Sequence, residues 1–185
     1  MRRSDLEHIV RAAATISGDV NVVIIGSQSI LGSYDEHELP ERVTLSREAD
    51  VAFWDDANER KADSVDGAIG EESSFDQMYS YYAQGVSITT ANLPWDWKER
   101  LVRFSTESTT PGIAWCLEPH DLALAKLAAG REKDYEYVDA LLDDGKLNSQ
   151  TLLERLPTMA ISPTHIRRIE KWIQAQFRGF SRPTP

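Results

Sequence analysis

The 185-residue chain has one cysteine, Cys116. That excludes an internal disulfide framework and a multi-cysteine zinc site, and a reducing, cytoplasmic setting is expected. A lone interior thiol is more often packing than nucleophile. No apolar run reaches about 18 residues, which excludes a transmembrane helix, so no membrane partner is expected. The first residues, Met1 to Asp5, lack the apolar stretch of a signal peptide. His8, His37, His120 and His165 show no metal-ligand spacing. Ser27 lacks a neighbouring histidine that would mark it as a nucleophile. No repeat, low-complexity tract or linker is visible.

Positive charge is also scarce: the formal net charge is −10. Between Asp35 and Asp76 fourteen acids face only Arg42, Arg47, Arg60 and Lys61, so this stretch carries the whole excess. The balance argues against loose, non-specific binding to nucleic acid. The tail from Pro163 runs the other way, with Arg167, Arg168, Lys171, Arg178 and Arg182 against Glu170. It is either a solvated helix face or a local landing surface for an anionic partner.

What is present reads as α+β: a small mixed sheet with helices, then a C-terminal helical bundle. Leu6, Ile9, Val10, Ala13 and Ile16 form one face of a helix over 5–16, stopped by Gly18. The run from Val20 to Ile25 has the pattern of a buried strand, followed at Gly26-Ser27 by a short helix over 28–31. Strands are expected over 49–54 and 85–89, with two more within 97–104 and 113–117. Helices are expected over 63–69 and 75–82. The C-terminal third is helical: 119–129 is apolar nearly all round, 133–142 follows, and Ser149 and Ser162 read as N-caps. Ile166, Ile169, Ile173 and Phe177 would line the last helix. Residues 1–117 are expected to form the α/β core, and 118–185 a helical region packed on it. The five tryptophans, Trp54, Trp95, Trp97, Trp115 and Trp172, read as core and sheet cover.

Two features carry chemistry. A glycine at a strand end, Gly26, lets a phosphate approach the backbone, and Ser27 adds a hydroxyl donor. On an extended chain, residues i and i+2 share a face, so Glu48 and Asp50 project their carboxylates together. Such a pair is unfavourable unless exposed or bridged by a cation, and hard oxygen ligands suit Mg²⁺ shared with substrate phosphates.

Strand-Gly-Ser followed by acid-x-acid resembles the core of the DNA-polymerase-β-like nucleotidyltransferase superfamily. Here it reads Val22-Val23-Ile24-Ile25-Gly26-Ser27, then Glu48-Ala49-Asp50-Val51. The spacer of twenty residues is longer than usual, and the first acid is Glu rather than Asp. The segments Gly26 to Gly32, Ser46 to Val51, Asp66 to Glu71, Tyr81 to Val86, Glu118 to Leu122 and Leu124 to Asp134 narrow the likeness. They are similar to the bacterial nucleotidyltransferases termed DUF6036, over roughly residues 20 to 142. That group resembles in layout the AbiEii and MenT toxins of toxin–antitoxin systems.

The resemblance implies a Mg²⁺- (or Mn²⁺-) dependent transfer of an NMP from an NTP to an acceptor. Glu48 and Asp50 would hold the metal, and Gly26 and Ser27 would cradle phosphates. Lys126 would meet a phosphate, or else let its amine snorkel out of the core. Arg131 and Lys133 would hold the triphosphate. Asp134 would be a further acid of the site, a partner for Lys126, or a helix cap. A third carboxylate is expected on a neighbouring strand; 85–90 has none, and Asp66 is the substitute by sequence. The toxin likeness implies RNA, especially a tRNA 3′ end, as acceptor, and an antitoxin partner. A protein or small hydroxyl acceptor fits the same chemistry. An inactive nucleotide-binding protein and a toxin–antitoxin interaction module are the alternatives.

Overall fold

A computed structural model describes residues 1–180, the side chains of 177–180 excepted. The elements are α1 (Arg3–Ser17), β1 (Asn21–Ile24), α2 (Glu41–Thr44), β2 (Glu48–Ala52), α3 (Arg60–Ile69), α4 (Ser74–Tyr79) and β3 (Tyr82–Gly85). There follow β4 (Val102–Phe104), β5 (Ile113–Cys116), α5 (Pro119–Ala129), α6 (Glu132–Asp143), α7 (Ser149–Arg155) and α8 (Pro163–Phe180). The fold is α+β, as the sequence pattern implies.

The five strands form one mixed sheet in the order β3-β2-β1-β5-β4. β1 runs antiparallel to β2 and parallel to β5; β2 and β3 are parallel, β4 and β5 antiparallel. Period-two alternation separates two faces. One carries Val22, Ile24, Ala49, Val51, Ala83, Ala114 and Cys116, all buried. The stripe Leu6, Ile9, Val10 and Ala13 of α1 is fully buried as well, and α3 adds Ala62 and Val65. At Gly85 a Cβ would collide with the Ala62 carbonyl, so α3 lies directly on β3. Burial pushes the Cys116 thiol up to about 12, which makes it a packing residue and no nucleophile. The opposite face carries Glu48, Asp50, Tyr82 and Gln84.

Several local expectations shift. After Ser27 the chain makes a 3₁₀ turn, Ser27–Gly32, rather than an α-helix. The third strand is Tyr82–Gly85, not 85–89, and α4 stops at Tyr79 because Ser80 adopts φ +63°. Pairing with β2 decides the matter: Val86 donates its last bond to Val51, and the chain then turns at Ser87 to Thr90. Over 97–104 only Val102–Phe104 is strand, preceded by a 3₁₀ turn at Trp97–Arg100. The cap of α7 is Asn148 rather than Ser149; its side chain accepts from the amides of Gln150 and Thr151. Ser162 does accept from the His165 amide, at 3.3 Å. Trp54 stacks on Trp97 at 5.9 Å between ring centres and Trp115 donates to Asn21, but Trp95 is 75% exposed and covers nothing.

The N-terminus of α5 is fixed by a buried ionic cluster. Asp121, fully buried, accepts from Arg100 (2.8 and 3.2 Å) and from Arg155 (2.9 Å). Arg155 also binds Glu118, the N-cap. The ring Nε2 of His120 accepts from the Asn148 amide at 2.9 Å, so its proton sits on Nδ1, which donates to Glu118 at 2.6 Å. Burial alone would raise the Glu118 carboxyl, but His120 and Arg155 outweigh it and hold it down at about 2. The cluster ties the turn before β4 to α5 and α7.

Candidate active site

The end of β1, the start of β2 and the α5–α6 junction meet at one place. β1 and β2 are antiparallel, so the chain leaving β1 passes the opening residues of β2. The Ile25 amide donates to the Asp50 carbonyl at 3.1 Å. The Asp50 carboxylate lies where a Cβ on Gly26 would be; only glycine fits there. Glu48 is on the same face, two residues away, and its Oε2 accepts from the Tyr82 hydroxyl at 3.1 Å. Burial, and then the adjacent Glu48 charge, raise the Asp50 carboxyl to about 6, with Lys126 only partly opposing them.

Lys126, on the last turn of α5, comes close enough to Asp50 for each to feel the other's charge. Its ammonium donates to Ser27 Oγ at 2.8 Å, sits 3.4 Å from Asp134 Oδ1, and lies 4.3 Å from the centre of the Tyr137 ring. Tyr137 in turn donates to the Ser27 carbonyl at 2.8 Å, which fixes the turn after Gly26 against α6. Burial pulls the Lys126 ammonium below its ordinary range, with the Asp134 charge the chief opposing influence. Lys126 does not snorkel to solvent; it is anchored inward.

Asp134 is only 1% exposed. It accepts from Arg131 Nε at 2.7 Å and Nη2 at 3.2 Å, and from the Arg131 amide at 3.3 Å. It is therefore both a partner of Lys126 and a cap on α6. Burial raises its carboxyl, but the Arg131 hydrogen bond and the two cations bring it below the ordinary carboxylate range. Arg131 is largely exposed, its charge held first by Asp134 and further by Asp50 and Glu48.

The structure thus gathers Gly26, Ser27, Glu48, Asp50, Lys126, Arg131 and Asp134. Two sequence candidates stand apart. Lys133 is exposed on the first turn of α6 and pairs with no acid among the described residues. Asp66 belongs to α3, on the opposite face of the sheet; its carboxylate accepts from the Gly85 amide at 3.3 Å and closes the edge of β3. The choice of Asp66 as a third acid beside the pair is therefore corrected: helical packing beneath the sheet separates it from them. Sequence reading passed over Tyr82 and Tyr137. The acid-x-acid register would have pointed to Tyr82; nothing local marks Tyr137.

Among the described residues no group of three or more His, Cys, Asp or Glu side chains is placed to hold a metal ion. The donor set is two carboxylates on one strand, one of them crowded by like charge and burial. That set fits a hard divalent cation that completes its shell with phosphate oxygens and water. Of the tail cations, Arg167, Arg168 and Lys171 are exposed on α8, with Arg168 packed against Gly130 beside Arg131. The Phe177 and Arg178 side chains and Arg182 lie outside the described residues. Also among the described residues, no helix is long and apolar enough to cross a membrane.

Over residues 4–178 the chain matches the family described as a nucleotidyltransferase of unknown function, DUF6036. The chain belongs to that family. Nucleotidyl transfer, with a nucleotide as substrate, follows from this membership. No curated protein and no solved structure matches the chain significantly.

Proposed function

We propose that this DUF6036 nucleotidyltransferase moves an NMP from an NTP to a hydroxyl of RNA, with Glu48 and Asp50 as ligands of Mg²⁺ or Mn²⁺. The observation that carries the reading is the crowded carboxylate pair beside Gly26, with a cationic wall opposite it. Bound to the pair, the cation would supply Lewis-acid polarisation of the phosphate oxygens. The chain's own residues do the rest. Gly26 lets the Asp50 carboxylate lie against the backbone where β1 ends, and Ser27 offers a hydroxyl to the phosphates. Lys126, already desolvated and oriented by Ser27 and Asp134, binds the β- and γ-phosphates. Arg131 reaches the same phosphates from the solvent side, and Lys133 adds charge farther out. Asp134 orients both cations. Asp66 has no part in the transfer.

The acceptor is the finer step. RNA, including a tRNA 3′ end, is favoured by the likeness to the AbiEii and MenT toxins of the polymerase-β-like superfamily. The exposed cations of α8, adjoining Arg131 through Gly130, support it as a landing surface on an acidic protein. The same likeness extends to an antitoxin partner. A second reading, nucleotide binding without transfer, is favoured by the two-acid donor set. Radiolabelled NTPs, offered one base at a time with Mg²⁺ to total RNA and total protein, decide between these. Label in the RNA fraction is expected. Label in protein alone would overturn the RNA assignment; binding without any transfer would establish the second reading.

A further inference from the structure

Gln84 has no part in the site as described so far, yet it stands beside it. In the parallel pairing of β2 with β3, Glu48 faces Tyr82 and Asp50 faces Gln84. Cross-strand partners lie about 4.8 Å apart and share a face. The Tyr82–Glu48 hydrogen bond shows which face this is. Gly85 and Ala83 point the other way, under α3. Gln84 is exposed, on a strand whose neighbours are half-buried or buried. Its carboxamide makes no hydrogen bond to a described residue, so its donors and acceptor are uncommitted on the sheet face that carries the acid pair.

Its place across the sheet gives it a side. β2 lies between β3 and β1. The phosphate-binding groups, Ser27 and Lys126, stand on the β1 side of the acid pair. Gln84 stands on the β3 side. In nucleotidyl transfer the attacking and leaving oxygens are roughly in line through the α-phosphorus. A pyrophosphate leaving toward Ser27 and Lys126 therefore requires the acceptor to enter from β3.

We propose that Gln84 is the acceptor-orienting residue of the transfer. This rests on the reading of Glu48, Asp50 and Lys126 given above. The Gln84 carbonyl accepts a hydrogen bond from the acceptor O–H and aims a lone pair of that oxygen at the α-phosphorus. The new P–O bond forms as the bond to the bridging oxygen breaks. Pyrophosphate departs with the electron pair, and the acceptor proton passes to solvent water beside the exposed Gln84. A carboxamide cannot take that proton, so Gln84 orients and does not act as a base. It occupies the neighbouring-strand position where the superfamily resemblance implies a third carboxylate.

The test compares wild type with Gln84→Ala and Gln84→Met, using labelled NTP and total RNA with Mg²⁺. Both variants are expected to lose at least about tenfold in transfer, through kcat and the KM for RNA. Their NTP affinity and melting temperature should match wild type, because the side chain is exposed and lies away from the phosphates. Gln84→Glu, which keeps the hydrogen-bond acceptor, should recover part of the lost rate. Unchanged transfer in both Gln84→Ala and Gln84→Met overturns the proposal. So does a loss of NTP affinity equal to the loss of transfer, which would put Gln84 on the nucleotide side. Wild type that binds NTP but labels nothing overturns the reading beneath, and the proposal with it.

Discussion

At the start of α5 two acids, Glu118 and Asp121, meet two guanidiniums, Arg100 and Arg155; at the start of β2 two acids, Glu48 and Asp50, meet each other. The first cluster is saturated. Each carboxylate has a hydrogen-bonded cation, and Glu118 is held down at about 2. In the second, the nearby cations are engaged elsewhere: Lys126 with Ser27 and Asp134, Arg131 with Asp134. Burial, and then the Glu48 charge, therefore prevail over Lys126, and Asp50 is pushed up to about 6. The number of acids is the same; what differs is whether the chain itself supplies the counter-charge. A saturated cluster holds elements together. An unsaturated one, held against the backbone at a glycine, is built to receive charge from outside.

The comparison breaks first on activity. Asp50→Asn should lower transfer by at least about 1000-fold, as loss of several kcal/mol of charge stabilisation implies, with the fold intact. Melting temperature should hold or rise, since a crowded charge is removed. Pyrophosphate release and a thermal melt check both halves.

Asp121→Ala should do the reverse. Breaking a buried pair costs about 3–5 kcal/mol, or on the order of 10 °C in melting temperature for a chain of this size. Nucleotide affinity should survive at temperatures where the variant is folded. A stable Asp121→Ala variant would contradict the structural role of the cluster.

The two clusters should also answer pH with opposite sign. Glu118 is depressed from 4.5 to about 2, so its stabilisation is complete above about 4.5 and is lost as pH falls toward 2. Asp50 is raised from 3.8 to about 6, so without divalent cation stability is lost as pH rises from about 4 through 6. Denaturant titrations in chelator should show the first slope vanish in Glu118→Gln and the second in Asp50→Asn.

Lys126→Met nearly conserves volume. As a phosphate ligand, the lysine's loss should weaken NTP binding by about 1.5–3 kcal/mol, measured by calorimetry. Intact affinity with a raised melting temperature would assign Lys126 to the structural class. The smallest effect concerns α8. Replacing Arg167, Arg168 and Lys171 with Gln should raise the RNA concentration needed and flatten its salt dependence, while NTP affinity holds. An unchanged salt slope would leave these residues as a solvated face.

Much of this was legible in the chain. The apolar run to Ile25, the glycine after it and the acid-x-acid spacing are local patterns, and all three survive folding. The face shared by Glu48 and Asp50 follows from period two alone. What was not legible depends on pairing across distance. The residues after Gly85, Val86-Ser87-Ile88-Thr89, look more like a strand than Tyr82-Ala83-Gln84-Gly85, but registry with β2 selects the latter. Asp121 reads as an ordinary first-turn acid until Arg100 and Arg155 arrive from elsewhere in the chain. Asp66 lies eighteen residues before Gln84, and only the packing of α3 beneath the sheet shows that it faces away from the pair.

The central claim is that the Glu48–Asp50 pair awaits a cation delivered with a nucleotide. Thermal melts of wild type and Asp50→Asn, each with NTP and with or without Mg²⁺, test it most directly. The account predicts that Mg²⁺ with NTP raises the wild-type melting temperature well beyond either alone, and that Asp50→Asn loses this synergy. Equal Mg²⁺-dependent stabilisation by NTP in both proteins would contradict it.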